Sequence, residues 1–167
     1  MKTNIVLIGM PGVGKSTVGV VLAKITGRRF LDSDLLIQEE TGQLLHEIIS
    51  EKGTEGFLKI ENRVNNSIDV QNTVIATGGS IVYGQEAMEH LAEIGCIVYL
   101  KLSLPCLAAR LGDLNKRGVA LKEGQGLKEL YEERVPLYER YAEITIDCEQ
   151  KGIRQITEEI AGRFKGK

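Results

Sequence analysis

Short apolar runs alternate along the chain with longer stretches in which apolar residues recur every three or four positions. NIVLIG (4–9) reads as a fully buried strand, and KSTVGVVLAKITG (15–27) as the helix that follows it, closed by Gly27. RRFLDSD (28–34) predicts a second strand. LLIQEETG and LLHEIISEKG predict short helices closed by Gly42 and Gly53. In GTEGFLKIENR, Phe57, Ile60, Val64 and Ile68 fall on one helical stripe that faces the core. Leu58 lies well off that stripe, on the face that carries Thr54, Asn62 and Asn65. TVIATGG (73–79), CIVYLKL (96–102) and EITIDC (143–148) predict three more strands. The helices expected around them are QEAMEHLAEIG (85–95), PCLAARLG (105–112), LKELYEERVPLYERYAE (127–143) and a last one near 152–164. Pro136 predicts a kink or break in the charged helix 127–143. Residues 113–126 lose all periodicity.

Strand–helix alternation of this kind predicts an α/β fold: a three-layer sandwich with a five-stranded parallel sheet and helices on both faces. With 167 residues and no repeat or linker, one domain over 1–167 is expected. Its hydrophobic fraction of 43% and charged fraction of 26% are those of an ordinary globular protein. A net charge of −2, no Trp and few aromatics argue against a nucleic-acid partner. The N-terminal apolar run is too short for a signal segment or a membrane span, which leads to the expectation of a cytoplasmic protein; a monomer is expected as well. Cys96, Cys106 and Cys148 lack metal-ligand spacing and read as free thiols.

The chemistry concentrates first in GMPGVGKST (9–17), which fits G-x-x-x-x-G-K-[ST] through Gly9, Gly14, Lys15 and Ser16. Glycines at this spacing let successive backbone N–H groups curl around phosphate oxygens, and the following helix points its positive end at the same anion. Gly12, Val13, Gly14, Lys15, Ser16 and Thr17 are therefore expected to hold the phosphates of a nucleoside triphosphate. Lys15 would reach the β- and γ-phosphates and the Ser16 hydroxyl would ligate Mg²⁺. The motif stands between a predicted strand and a predicted helix, the context it needs.

No guanine-reading motif accompanies it: in DLNKRG (113–118), Gly118 occupies the place of the required Asp. An acidic pair does exist in FLDSD, where Asp32 and Asp34 share one face of an extended segment at a strand end. Asp32 suits Mg²⁺ and Asp34 suits orienting or deprotonating an acceptor hydroxyl. The competing reading is that the Asp-Ser-Asp run caps the next helix.

In order and spacing, GMPGVGKST, FLDSD, ATGGS (76–80), Arg117 and ERVPLYERYAE (133–143) resemble the shikimate kinases, members of the nucleoside-monophosphate-kinase-like group of phosphate-loop folds. The resemblance covers essentially the whole chain. It implies an ATP- and Mg²⁺-dependent transfer to a small hydroxylated acceptor, with a lid at about 112–126 and a substrate-binding helical region at about 33–62. Lys15, Asp34 and Arg117 would be catalytic, with Arg117 reaching into the closed site from the lid. Arg110 would stack on adenine. Gly78 and Gly79 would offer backbone N–H groups to the acceptor, and Arg134 would pair with its carboxylate; the alternative for Arg134 is surface ion pairing on a charged helix.

The chain departs from the family pattern at several points: in GTEGFLKIENR, Gly53, Phe57 and Glu61 match, but Thr54 replaces the usual Glu. Leu58 stands where a carboxylate-binding Arg is usual, Ser80 where a third Gly is usual, and Arg117-Gly118-Val119-Ala120 where Arg-Pro-Leu-Leu is usual. Lys59 and Arg63 project away from position 58, whereas Asn62 shares its face and offers a neutral donor. Position 58 is thus expected to form the wall of the acceptor pocket. These departures keep two alternatives beside shikimate kinase: a kinase of the same fold for another hydroxylated metabolite, and a nucleotide-binding sensor with little catalysis.

Overall fold

The computed structural model describes residues 2–111, 119–120, 122 and 124–165. The elements run β1 (Asn4–Ile8), α1 (Lys15–Thr26), β2 (Arg29–Asp32), α2 (Ser33–Thr41), α3 (Leu45–Asn66), β3 (Thr73–Ala76), α4 (Gln85–Ile94), β4 (Gly95–Lys101), α5 (Leu104–Arg110), α6 (Leu127–Tyr141), β5 (Ile144–Asp147) and α7 (Ile153–Arg163). A single 3₁₀ turn, Ile81–Tyr83, follows β3 and was not foreseen in the pattern. The five strands form one parallel sheet in the order β2-β3-β1-β4-β5.

β1 lies at the centre, and all five of its residues are buried. Successive strand side chains point to opposite faces, so burial of every one requires cover on both sides of the sheet. α1 and α7 pack on one another, α4 and α6 pack against β4, and α3 packs on α4. The core of Ile5, Leu7, Val74, Ile75, Ile97 and Val98 fills the layers between them. Among the described residues no helix is long and apolar enough to cross a membrane. Cys96, Cys106 and Cys148 form no disulfide among the described residues, and burial pushes the Cys148 thiol up to about 11.

Chain order changes direction beside β1: β2 and β3 lie to one side, β4 and β5 to the other. A crevice opens at such a point beyond the strand C-termini, and the loops after β1, β2 and β3 all end there. Two expectations meet corrections of detail. α3 continues past Gly53, which takes φ 72° and ψ 176° and joins two helical pieces at a kink rather than ending one. α6 runs unbroken through Pro136. Both Pro136 and Glu132, whose carbonyl loses its N–H partner, are exposed, so water can satisfy that carbonyl. Buried Leu130, Arg134 and Tyr138 anchor the helix on either side.

Candidate active site

The loop after β1 is shaped by three glycines with positive φ: Gly9 at 151°, Gly12 at 84° and Gly14 at 104°. A Cβ on Gly9 would stand 2.8 Å from the Leu100 carbonyl oxygen, so the loop can lie this close to β4 only with glycine there. Gly14 is the N-cap of α1, which leaves the first N–H groups of that helix directed into the loop. Lys15 folds back over it, its Nζ donating to the carbonyls of Gly9 at 2.7 Å and Met10 at 2.9 Å. Burial pushes the ammonium down to about 8, against the favourable charges of Asp34, Asp32 and Glu61. It remains a cation at neutral pH. A loop lined by N–H groups and one buried cation fits a triphosphate.

Ser16 Oγ donates to Asp32 Oδ2 at 2.8 Å. The other oxygen of Asp32 accepts from the backbone N–H groups of Asp34 at 2.9 Å and Leu35 at 3.4 Å. Asp32 therefore caps α2, as the competing reading of the Asp-Ser-Asp run expects, and holds the Ser16 hydroxyl at once. A hydroxyl beside a carboxylate is a donor set for a hard divalent cation that takes its other ligands from water and phosphate. Among the described residues no group of three or more His, Cys, Asp and Glu gathers to form a protein-only metal cage.

Beyond the phosphate loop lies a cavity of about 360 Å³, lined on one side by Gly12, Gly14, Lys15, Ser16 and Thr17. Its other side carries Asp34, Phe57, Glu61, Gly78, Gly79, Ser80 and Arg134. Gly78 and Gly79 follow β3 directly, and the Thr77 hydroxyl anchors this turn on the Leu7 carbonyl at 2.7 Å. Tyr138 OH donates to the Gly79 carbonyl, fixing the turn from α6.

Arg134 is 1% exposed, which disposes of surface ion pairing. One amino group donates to the Ala120 carbonyl at 2.7 Å, the guanidinium lies 5.4 Å from the centre of the Tyr83 ring, and Nε has no partner among the described residues. Tyr83 is held in turn by its hydroxyl on Glu133 Oε1.

Asp34 Oδ1 and Glu61 Oε2 are also buried without a hydrogen-bond partner among the described residues. Both lie within 2.7 Å of the point where a Cβ on Gly78 would stand. Burial pushes Asp34 up to about 6, with the charge of Asp32 adding to the shift and that of Lys15 opposing it. Unpaired buried polar atoms are rare in folded proteins, and three of them converging on one cavity mark a place prepared for a ligand.

Other expected site residues stand differently. Arg110, at the end of α5, donates to the Val13 carbonyl at 3.2 Å and so braces the phosphate loop from outside. Val13 is buried. Arg117 lies outside the described residues, as does most of the expected lid.

Leu58 does not line the acceptor cavity. It lines an adjoining hollow of about 420 Å³ with Lys59, Asn62, Tyr83 and Gly84, while Phe57 takes the wall position. Asn62 Oδ1 accepts from the Ala87 N–H at 3.0 Å and so caps α4, and the residue lines the hollow with Leu58 rather than the cavity beside the phosphate loop. Arg63 pairs with Glu40 at 3.6 Å, away from the site.

Glu61 matches the family pattern of this helix but was not expected as a site residue, although its position was telling. It falls in the middle of the Phe57–Val64–Ile68 stripe, where an apolar residue is expected. A carboxyl there has to be buried, and it is 2% exposed. Ser80 Oγ donates to its Oε1 at 2.6 Å.

Sheet order, phosphate loop and acceptor cavity together define a phosphate-loop kinase, an enzyme that moves a phosphoryl group from ATP to an alcohol. The shikimate kinase family profile matches residues 11–165. A shikimate kinase of Persephonella marina is 36% identical over 163 residues, spanning 97% of this chain and 99% of the relative. Among solved structures, a shikimate kinase from Acinetobacter baumannii in complex with shikimate matches with a TM-score of 0.85 at 30% identity, covering 100% of this chain and 97% of that one. The Aquifex aeolicus shikimate kinase matches at 0.81 with 29% identity over 98% and 96%. The chain belongs to the shikimate kinase family.

Proposed function

We propose that this protein transfers the γ-phosphoryl group of ATP to a hydroxyl of shikimate. The observation that carries the reading is the single cavity in which the phosphate-loop Lys15 and the unpaired carboxylate of Asp34 face the buried, part-unpaired guanidinium of Arg134. Mg²⁺ and ATP, held by Ser16, Asp32 and the loop 9–17, supply the electrophilic phosphorus and neutralise charge when bound.

The chain's own residues do the rest. Asp34 accepts the proton of the attacking hydroxyl, and its elevation to about 6 brings it close to the working pH, where a base is most effective. The Lys15 ammonium stabilises charge that develops on the transferring group, in a place where burial strengthens the interaction. Arg134 grips the acceptor carboxylate and Gly78 and Gly79 let the acceptor approach the loop closely. The family match supports shikimate as that acceptor.

The test is ADP release from Mg·ATP against shikimate, quinate and simple polyols, with Lys15→Ala as the blank. Turnover on shikimate and little on the others is expected. One observation favours a second reading, a kinase for a different hydroxylated metabolite. Leu58 replaces a guanidinium, and among the described residues lining the cavity the cations are Lys15 and Arg134. Faster turnover on another member of the panel would establish it in place of shikimate.

A further inference from the structure

The Ser80–Glu61 pair has no part in phosphoryl transfer as set out above, yet it is built into the acceptor wall. Glu61 comes from α3 and Ser80 from the turn after β3, and both side chains are nearly inaccessible. Ser80 Oγ donates to Oε1 at 2.6 Å, which leaves Oε2 buried, without a partner among the described residues, and crowded with Asp34 Oδ1 around Gly78. Two ionised carboxylates so placed would repel one another and the anionic groups of any acceptor.

We propose that Glu61, steered by Ser80, is a specificity-determining residue that presents a carboxylic O–H from Oε2 to an oxygen of the acceptor, so that acceptor affinity follows the proton on this side chain. The inference rests on the kinase reading above.

Its surroundings agree. Asp34 from α2, Lys15 from the start of α1, Arg134 from α6 and Ser80 face this carboxyl. Burial is the largest influence and pushes it up to about 8; the Ser80 hydroxyl opposes this, Asp34 reinforces it, and Arg134 and Lys15 oppose it. The pocket then offers an acceptor hydroxyl one proton-accepting carboxylate, Asp34, and one proton-donating acid, Glu61. An oxygen that both gives and receives a hydrogen bond is matched, whereas an ether, which only receives, leaves Asp34 unsatisfied.

The experiment is the KM for shikimate and kcat across pH 6.5–9.5 for the parent, Glu61→Gln and Ser80→Ala. In the parent, KM is expected to rise about tenfold between pH 7 and pH 9 as the proton is lost, because only the protonated fraction binds. Glu61→Gln keeps an N–H donor that cannot ionise, and its KM should stay flat over the same range. Ser80→Ala removes an influence that favours the ionised form, so its alkaline rise should move to higher pH. A structural role alone would not shift that limb.

A parent-like alkaline rise in Glu61→Gln, or an unmoved limb in Ser80→Ala, overturns the inference while leaving the kinase reading intact. A parent that turns over no shikimate at any pH overturns both. Thermal unfolding of each variant, followed over the same pH range, separates a folding defect from a change in recognition. Glu61→Gln should lose the parent's decline in Tm between pH 6.5 and 8, and retention of that decline would also overturn the inference.

Discussion

A methyl group on Gly78 would meet Asp34 Oδ1 and Glu61 Oε2 at 2.7 Å each, closer than any real Cβ contact. Because both oxygens belong to buried side chains, Gly78→Ala must push the carboxyls out of place. A fall in kcat/KM for the acceptor of about 100-fold is expected, since misplacement of about 1 Å has that effect at reacting groups. Nucleotide binding, followed by calorimetric titration, should change little. Leu58→Arg tests the opposite, a gain. A guanidinium that reached the acceptor carboxylate would add about 1.5–3 kcal/mol, read as a 10- to 100-fold lower KM for shikimate. No change in KM would show that the adjoining hollow keeps position 58 out of the site. The placement of Lys15, Ser16 and Asp32 beside the phosphate loop was legible, because the loop motif and a strand end put them there. Glu61 was not, because its meaning depends on Ser80, nineteen positions along the chain. The polar face of α3 was read as pocket wall from Leu58, but the α3 residues that line the cavity are Leu45, Phe57 and Glu61.

Elements place these residues by shared side chains. Asp32 joins the end of β2, the N-terminus of α2 and the first turn of α1, through two backbone N–H groups and Ser16. Asp32→Asn keeps an oxygen for the cap and removes the charge; Asp32→Ala removes both. The Ala variant is expected to lose about 1–2 kcal/mol and about 2–8 °C in Tm, and the Asn variant much less. Both should need more Mg²⁺ for half-maximal activity, measured as ADP release against Mg²⁺ concentration. Strand and helix positions were largely readable from periodicity, since each buried face repeats at its own interval. Pro136 was misread because a local rule about a missing N–H says nothing of tertiary anchors, here Arg134 and Tyr138, or of an exposed carbonyl nearby. The order β2-β3-β1-β4-β5 was not legible at all, since alternation alone does not say which strands are neighbours.

For the whole molecule, the buried site charges tie stability to pH. Glu61, raised from 4.5 to about 8, and Asp34, raised from 3.8 to about 6, bind protons more tightly folded than unfolded. Their contribution is therefore complete below the unfolded values and is lost as pH rises through the folded ones. Lys15, lowered from 10.5 to about 8, acts in the reverse sense, its contribution complete above 10.5 and lost as pH falls through 8. From these three groups, unfolding free energy should decline from about pH 4 to pH 8 and recover toward pH 10.5. The slope from any one group is at most about 1.4 kcal/mol per pH unit, measurable by denaturant titration at a series of pH values. A stability that rises steadily from pH 5 to 8 would contradict these assignments. The contact between Pro11 of the phosphate loop and Gly79 of the acceptor turn, where an added Cβ would fall 2.8 Å from Pro11 Cδ, has a further consequence. Donor and acceptor compartments share one wall and one cavity, so a short tether can join molecules that occupy each. In such a bivalent ligand the second half binds at a high effective concentration, and its affinity can exceed that of either half by about 10²–10⁴-fold.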